Sequence, residues 1–157
     1  MRHRLYAHLV WTTLDRDRLI DVGRATFLCG FLRGMARKDG AAVLAVGLVQ
    51  THVHLLIAFT PTTPLATLVQ HLKGASSAVA RTEGHGVDLP FLRWAKGYAI
   101  HSISGKDLVR VRGYLESQPA HHPTEAISGW SGDTVDPYDN HWGTPPLRRP
   151  AERSPGP

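Results

Sequence analysis

A chain of 157 residues is long enough for one domain whose core needs no disulfide staples. An apolar share of 42% is ordinary for a globular protein, no run approaches the roughly 18 uncharged apolar residues that span a bilayer, and the first residues lack a secretory pattern. Membrane partners are therefore not expected. The lone Cys29 cannot close an internal disulfide, which makes a cytoplasmic protein the expectation.

The net charge of +5 is unevenly placed. Residues 1–127 carry 15 Lys/Arg against 9 Asp/Glu, while the last 30 residues carry 3 against 4. A basic body suits a polyanion, because each neutralised phosphate releases condensed counterions.

Taken in chain order, Leu5–Thr12 alternates Leu5, Ala7, Leu9 and Trp11 against Tyr6, His8 and Val10, the period of a strand. From about Asp21 to Lys38, Phe27, Leu28, Phe31, Leu32 and Met35 recur at three- and four-residue spacing, which predicts an amphipathic helix stopped by Gly40. Cys29 falls among these apolar residues and reads as packing rather than chemistry. Ala41–Val49 is an almost unbroken apolar run, a buried strand. Gln50-Thr51 joins it tightly to a third strand, His52–Phe59, so the two should pair as an antiparallel hairpin.

Thr63 as N-cap and Pro64 at the first helical position open a second helix, with Leu65, Leu68, Val69, Leu72 and Val79 as its apolar stripe. Tyr98–Ile103 reads as a short fourth strand. Ser104, with Asp107 three residues on, caps a third helix with Leu108, Val111 and Leu115 inward. The order gives an α+β fold, a ferredoxin-like βαββαβ antiparallel sheet with helices on one face plus a C-terminal tyrosine-bearing helix. The domain is expected over residues 1–127. Residues 128–157, rich in Pro, Gly, Ser and Thr, form an irregular tail.

Two constellations carry chemistry. His52 and His54 stand at i and i+2 of a strand, so both imidazoles leave one face with Cα atoms roughly 7 Å apart, a spacing at which they can share a cation. Val53, Leu55, Ile57 and Phe59 point the other way, into the core. His8, His71, His101, His121 and His122 lack such pairing with a strand partner and read as surface or hydrogen-bonded histidines. On the last helix Arg110, Tyr114 and Gln118, four apart, line one edge. A phenol needs a cation to become a useful nucleophile. The Gln118 amide oxygen can complete a His52/His54/Gln118 set around a hard divalent ion that polarises a phosphate. Arg110 would hold a phosphate or the phenolate. Pro119 disfavours helical geometry at Gln118 and places that side chain at a fraying helix end.

Together these residues resemble the HUH single-tyrosine (Y1) transposases of the IS200-like type and their domesticated REP-associated relatives. The likeness runs through His8-Leu9-Val10-Trp11-Thr12-Thr13, His52-Val53-His54-Leu55-Leu56, Leu72-Lys73-Gly74 with Ser76-Ser77, Gly97-Tyr98, and Tyr114 to His122. The resemblance implies a DNA transposase that nicks and joins single-stranded or hairpin DNA. It implies Tyr114 as catalytic nucleophile forming a 5′-phosphotyrosine, and a metal site of His52, His54 and Gln118. It further implies a homodimer in which the tyrosine can serve the partner's metal. Lys73, Ser76, Ser77 and Arg81 on the second helix would be DNA contacts. Imidazole ligands favour Mn²⁺ over Mg²⁺. The chain departs from the family at Thr51, where Asn or Asp is common, and the departure tells against the usual hydrogen bond from this position to a ligating histidine, not against the ligands themselves. Two alternatives share the sequence: a domesticated REP-associated hairpin nuclease, and a non-catalytic nucleic-acid-binding ferredoxin-like domain. The second would stack bases on strand aromatics, where this chain has His52 and His54.

Overall fold

In a computed structural model, which describes residues 4–85 and 88–132, the elements are β1 (Leu5–Thr12), α1 (Val22–Lys38), β2 (Ala42–Val49), β3 (His52–Phe59), α2 (Leu65–Thr82), β4 (Ala99–Ile103), α3 (Leu108–Glu116) and α4 (Gln118–His121). The four strands form one antiparallel sheet in the order β2-β3-β1-β4, the arrangement a βαββαβ chain gives when each connection returns to the sheet.

The alternation in β1 does what its period predicts: Ala7, Leu9 and Trp11 are buried, while Tyr6, His8, Val10 and Thr12 are half-buried. The Asp21 side chain accepts from Arg24 N and caps α1. The helix ends before Gly40, whose φ of +80° lies where a side chain would strain the backbone. One core lies between the sheet and α1 and α2, built on Leu9, Trp11, Leu28, Leu32, Val53, Leu55, Ile57, Leu68 and Leu72. The inward face of α1 is turned from the expected one. Ala25, Cys29 and Ala36 join Leu28 and Leu32 there, while Phe27 and Met35 only flank it. Phe27 instead stacks on His85, ring centroids 4.2 Å apart.

The opposite face of the sheet is not left open. A second core of Ala42, Leu44, Ala45, Leu56, Ala58, Leu108, Val111 and Leu115 packs α3 against β2 and β3. Both faces of β3 are consequently covered, and His52, His54, Leu56 and Ala58, the outward set in a half-exposed strand, are all buried.

Three capping expectations are corrected. Pro64, not Thr63, holds the N-cap position of α2. The Thr63 hydroxyl closes the preceding turn instead, accepting from Thr60 N and donating to Gly40 O. Ser104 precedes a 3-10 turn over Gly105–Asp107 and makes no side-chain cap bond, nor does Asp107 at the start of α3. Asp107 lies 3.7 Å from Arg110. The inward end of α2 uses Ser76 and Ala80 rather than Val79. Of the expected tail, Trp130 packs against the first core just after buried Ile127; residues 133–157 lie outside the described residues. Among the described residues no helix is long and apolar enough to cross a membrane.

Candidate metal and nucleophile site

The register of the sheet assembles the site. Thr12 pairs with His52 and Val10 with His54, so His8 is the diagonal neighbour of His54 on the same face. His8 Nε2 and His54 Nδ1 are 2.8 Å apart with their rings stacked, centroids 5.1 Å apart. The His52 and His54 ring centroids are 5.0 Å apart. Thr51 Oγ1 lies 2.9 Å from His52 Nδ1 and donates to Glu125 Oε1 at 2.8 Å.

The closing helices bring the other residues. α3 ends at Glu116, Ser117 breaks it, and Gln118 begins α4 with Pro119 directly after. The proline therefore does interrupt the helix. Gln118 nevertheless does not fray: it is fully buried, and its Nε2 donates to Tyr114 O at 3.3 Å. A carbonyl can only accept, so the NH₂ end of the amide faces Tyr114 and the oxygen end is left for the site. Gly47 makes this approach possible. A Cβ there would collide with the Leu115 carbonyl oxygen and stand 3.1 Å from Gln118 Cγ.

Tyr114 remains 43% exposed on α3, with its ring centroid 6.2 Å from that of His54, 6.4 Å from His8 and 4.9 Å from His121. Four of the sequence-predicted side chains, His52, His54, Tyr114 and Gln118, thus converge within one chain.

Burial is the main influence on the imidazoles. It lowers the pKa of His54 to about 3, assisted by the neighbouring His52 and His8, and also lowers those of His52 and His8. The Gln118 amide beside both strand histidines acts the other way, more weakly. These rings stay neutral near pH 7, the state in which imidazole ligates. His54 Nε2 and Gln118 Oε1 are buried without any hydrogen-bond partner. When His54 donates Nδ1–H to His8, its Nε2 is a bare lone pair, as Gln118 Oε1 always is. Two orphaned acceptors beside the His52 imidazole fit a divalent cation. Among the described residues no three His, Cys, Asp or Glu side chains form such a set, and the unpartnered oxygen beside the two strand histidines is that of the Gln118 amide.

The expected DNA contacts divide. Ser76 lies inside the fold, accepting from Trp94 Nε1 at 3.0 Å and donating to Lys73 O. Lys73 Nζ donates to Ala95 O at 2.7 Å and to Gly97 O at 2.8 Å, tying α2 to the segment before β4; burial lowers its pKa. With Ser77, Trp94, Lys96 and Tyr98 it lines a groove of about 440 Å³. Arg81 lies over the Phe91 ring, 4.8 Å from its centroid, and Arg110 extends into solvent, 75% exposed.

His8, expected as a surface or hydrogen-bonded histidine, is hydrogen-bonded within the site, and Gly47 and Glu125 adjoin it without having been singled out. His8 had a signal, its period-2 placement in a strand, but its partner is set by register. Glu125 had none, since only folding brings it to the turn before His52.

A ferredoxin-like sheet that sets a His-x-His strand against a tyrosine-bearing helix defines the single-tyrosine class of transposases. The sequence profile of the family described as IS200-like transposase matches residues 1–118, and the chain belongs to that family. It is 29% identical over 124 residues to the ISDra2 transposase TnpA of Deinococcus radiodurans, spanning 74% of this chain and 85% of that one. A crystal structure from Deinococcus radiodurans, provisionally described as a transposase, superposes with a TM-score of 0.58 at 26% identity, covering 75% of this chain and 93% of its own. A REP-associated tyrosine transposase bound to a REP hairpin shares the fold at a TM-score of 0.59 and 13% identity, covering 87% and 92%.

Proposed function

We propose that this transposase nicks and rejoins single-stranded DNA through a phosphotyrosine on Tyr114, with a divalent cation, Mn²⁺ or Mg²⁺, held by His52, His54 and Gln118. The observation that carries the reading is the pair of buried, unpartnered acceptors, His54 Nε2 and Gln118 Oε1, beside a half-exposed tyrosine. The cation would supply Lewis-acid polarisation of the scissile phosphate and charge stabilisation. The chain's own residues do the rest. Buried imidazoles and amide hold fixed positions, and α3 presents the Tyr114 hydroxyl to solvent, where DNA arrives. Attack of the Tyr114 oxygen on phosphorus forms the Tyr114 O–P bond and breaks the bond to the 3′-oxygen; the proton that the phenol loses passes through solvent to that oxygen, which leaves as a hydroxyl. A second 3′-hydroxyl reverses this, so the phosphodiester energy is conserved and no external energy source is used.

Hairpin-bearing DNA is the proposed partner, supported by the basic domain body and the groove beside α2, which Lys73, Ser77 and Lys96 line. The ring distances within one chain support a tyrosine acting in cis. The exposed β4, at the open edge of the sheet, supports assembly of a homodimer.

The test is incubation with a single-stranded hairpin oligonucleotide and Mn²⁺ or Mg²⁺, followed by denaturing electrophoresis. A covalent adduct forms with the unaltered chain and is absent in Tyr114→Phe and in the double variant His52→Ala, His54→Ala. An adduct in Tyr114→Phe removes the nucleophile assignment. Mixing the two variants regains activity only where a tyrosine serves the partner's metal. Light scattering at micromolar concentration tests the dimer.

A further inference from the structure

Glu125 lies beyond the residues that match the family, yet its side chain reaches the turn that leads into His52. The segment that carries it is seated by two contacts to one turn: Gln50 N donates to Glu125 O at 2.8 Å, and Thr51 Oγ1 donates to Glu125 Oε1 at 2.8 Å. The turn leads directly into His52. Thr51 is 2% exposed and Thr51 Oγ1 is 2.9 Å from His52 Nδ1.

A hydroxyl has one proton. A carboxylate can only accept, so that proton goes to Glu125, and toward His52 the Thr51 oxygen offers lone pairs. The partner at 2.9 Å must then be the donor, which fixes the proton of neutral His52 on Nδ1. Nε2 is left as the lone pair. Without Glu125 the hydroxyl could donate to the ring, and the opposite tautomer, with Nε2 protonated, would be favoured.

The geometry points to Thr51 and Glu125 as positioning residues that hold His52 in the Nδ1–H tautomer, with Nε2 ready for a divalent cation. The inference rests on the proposed metal role of His52. It assigns to this chain a carboxylate–hydroxyl–imidazole relay running from Glu125 through Thr51 to His52. Partners of this kind, once removed, typically weaken metal affinity about 10–100-fold.

Two readouts test it, neither depending on nicking. Long-range ¹H–¹⁵N correlation spectra of the metal-free, histidine-labelled chain report which His52 nitrogen carries the proton. Titration with Mn²⁺ alone, followed by calorimetry or electron paramagnetic resonance, reports affinity. The expected spectrum of the unaltered chain shows Nδ1 protonated. Thr51→Val and Glu125→Ala shift His52 toward the Nε2–H form and weaken Mn²⁺ binding by about tenfold or more. Thr51→Ser, which keeps the hydroxyl, restores both readouts. A His52 protonated on Nε2 in the unaltered chain, or a folded Thr51→Val chain with unchanged spectrum and unchanged Mn²⁺ affinity, overturns the relay. An unaltered chain that binds no Mn²⁺ instead defeats the metal reading, while its spectra still decide the relay.

Discussion

Gly47 of β2 lies directly under the carbonyl of Leu115, so close that the smallest side chain would strike the last turn of α3. The helix that bears Tyr114, and the Gln118 that follows it, are seated by the absence of one methyl group. Gly47 also pairs with His54 across the β2–β3 ladder, so the contact is made beside a proposed ligand.

Gly47→Ala should therefore cost stability by about 1–3 kcal/mol, the range for overpacking a close contact. Metal affinity should fall as well, because Gln118 moves with the helix. Urea unfolding and Mn²⁺ titration measure the two effects, and an alanine chain matching the parent in both shows that the helix is seated otherwise.

His54 gives a pH dependence with a definite sign. Its pKa is about 3 when folded and near 6.5 in an unfolded chain, so between those values the unfolded state binds more protons. The stabilisation is complete above pH 6.5 and is lost progressively as pH falls toward 3. His52 and His8, also lowered by burial, act in the same direction. Urea midpoints of the metal-free chain should drop steeply between pH 6.5 and 4.5, and His54→Gln should flatten that slope whatever its stability at pH 7.5. An unchanged slope in the variant would assign the effect elsewhere.

Lys73 is bonded to two backbone carbonyls, and a neutral replacement leaves both acceptors without their donor. Lys73→Met should destabilise the fold by about 1–3 kcal/mol. The salt dependence of DNA binding should hardly change, because the ammonium is already committed within the protein. A drop of about one unit in the log–log salt slope would instead mean that Lys73 contacts a phosphate directly.

Tyr114→Phe should be nearly silent in the folded state. The ring is 43% exposed and loses only a hydroxyl at the surface, so stability should change by no more than about 0.5 kcal/mol. Mn²⁺ affinity should also hold, since the proposed ligands are His52, His54 and Gln118, while the covalent adduct disappears. Loss of metal binding in this variant would make the phenol itself a ligand.

The order of strands and helices was legible because each element keeps its own period: alternation in Leu5–Thr12, three- and four-residue spacing in α1 and α3, an unbroken apolar run in β2. The convergence of His52 and His54 followed from the geometry of a strand. Other features depend on what arrives from a distance. His8 meets His54 through ladder register, and Glu125 meets Thr51 through the docking of a late turn. Burial of the histidine face required knowing that α3 lies over β2 and β3. The N-cap of α2 failed for a local reason: Thr63 had a competing use, closing the turn with Thr60 and Gly40.

The strands that contribute histidines are complete well before Tyr114 and Gln118 are made. During synthesis, which proceeds from the N-terminus, the imidazole pair can be laid down in the sheet while the chain still lacks both Tyr114 and Gln118. Under the proposed mechanism, a protein built in this order gains its reactive group only near the end of translation of the domain. Prematurely terminated products would hold the scaffold without the means to break DNA.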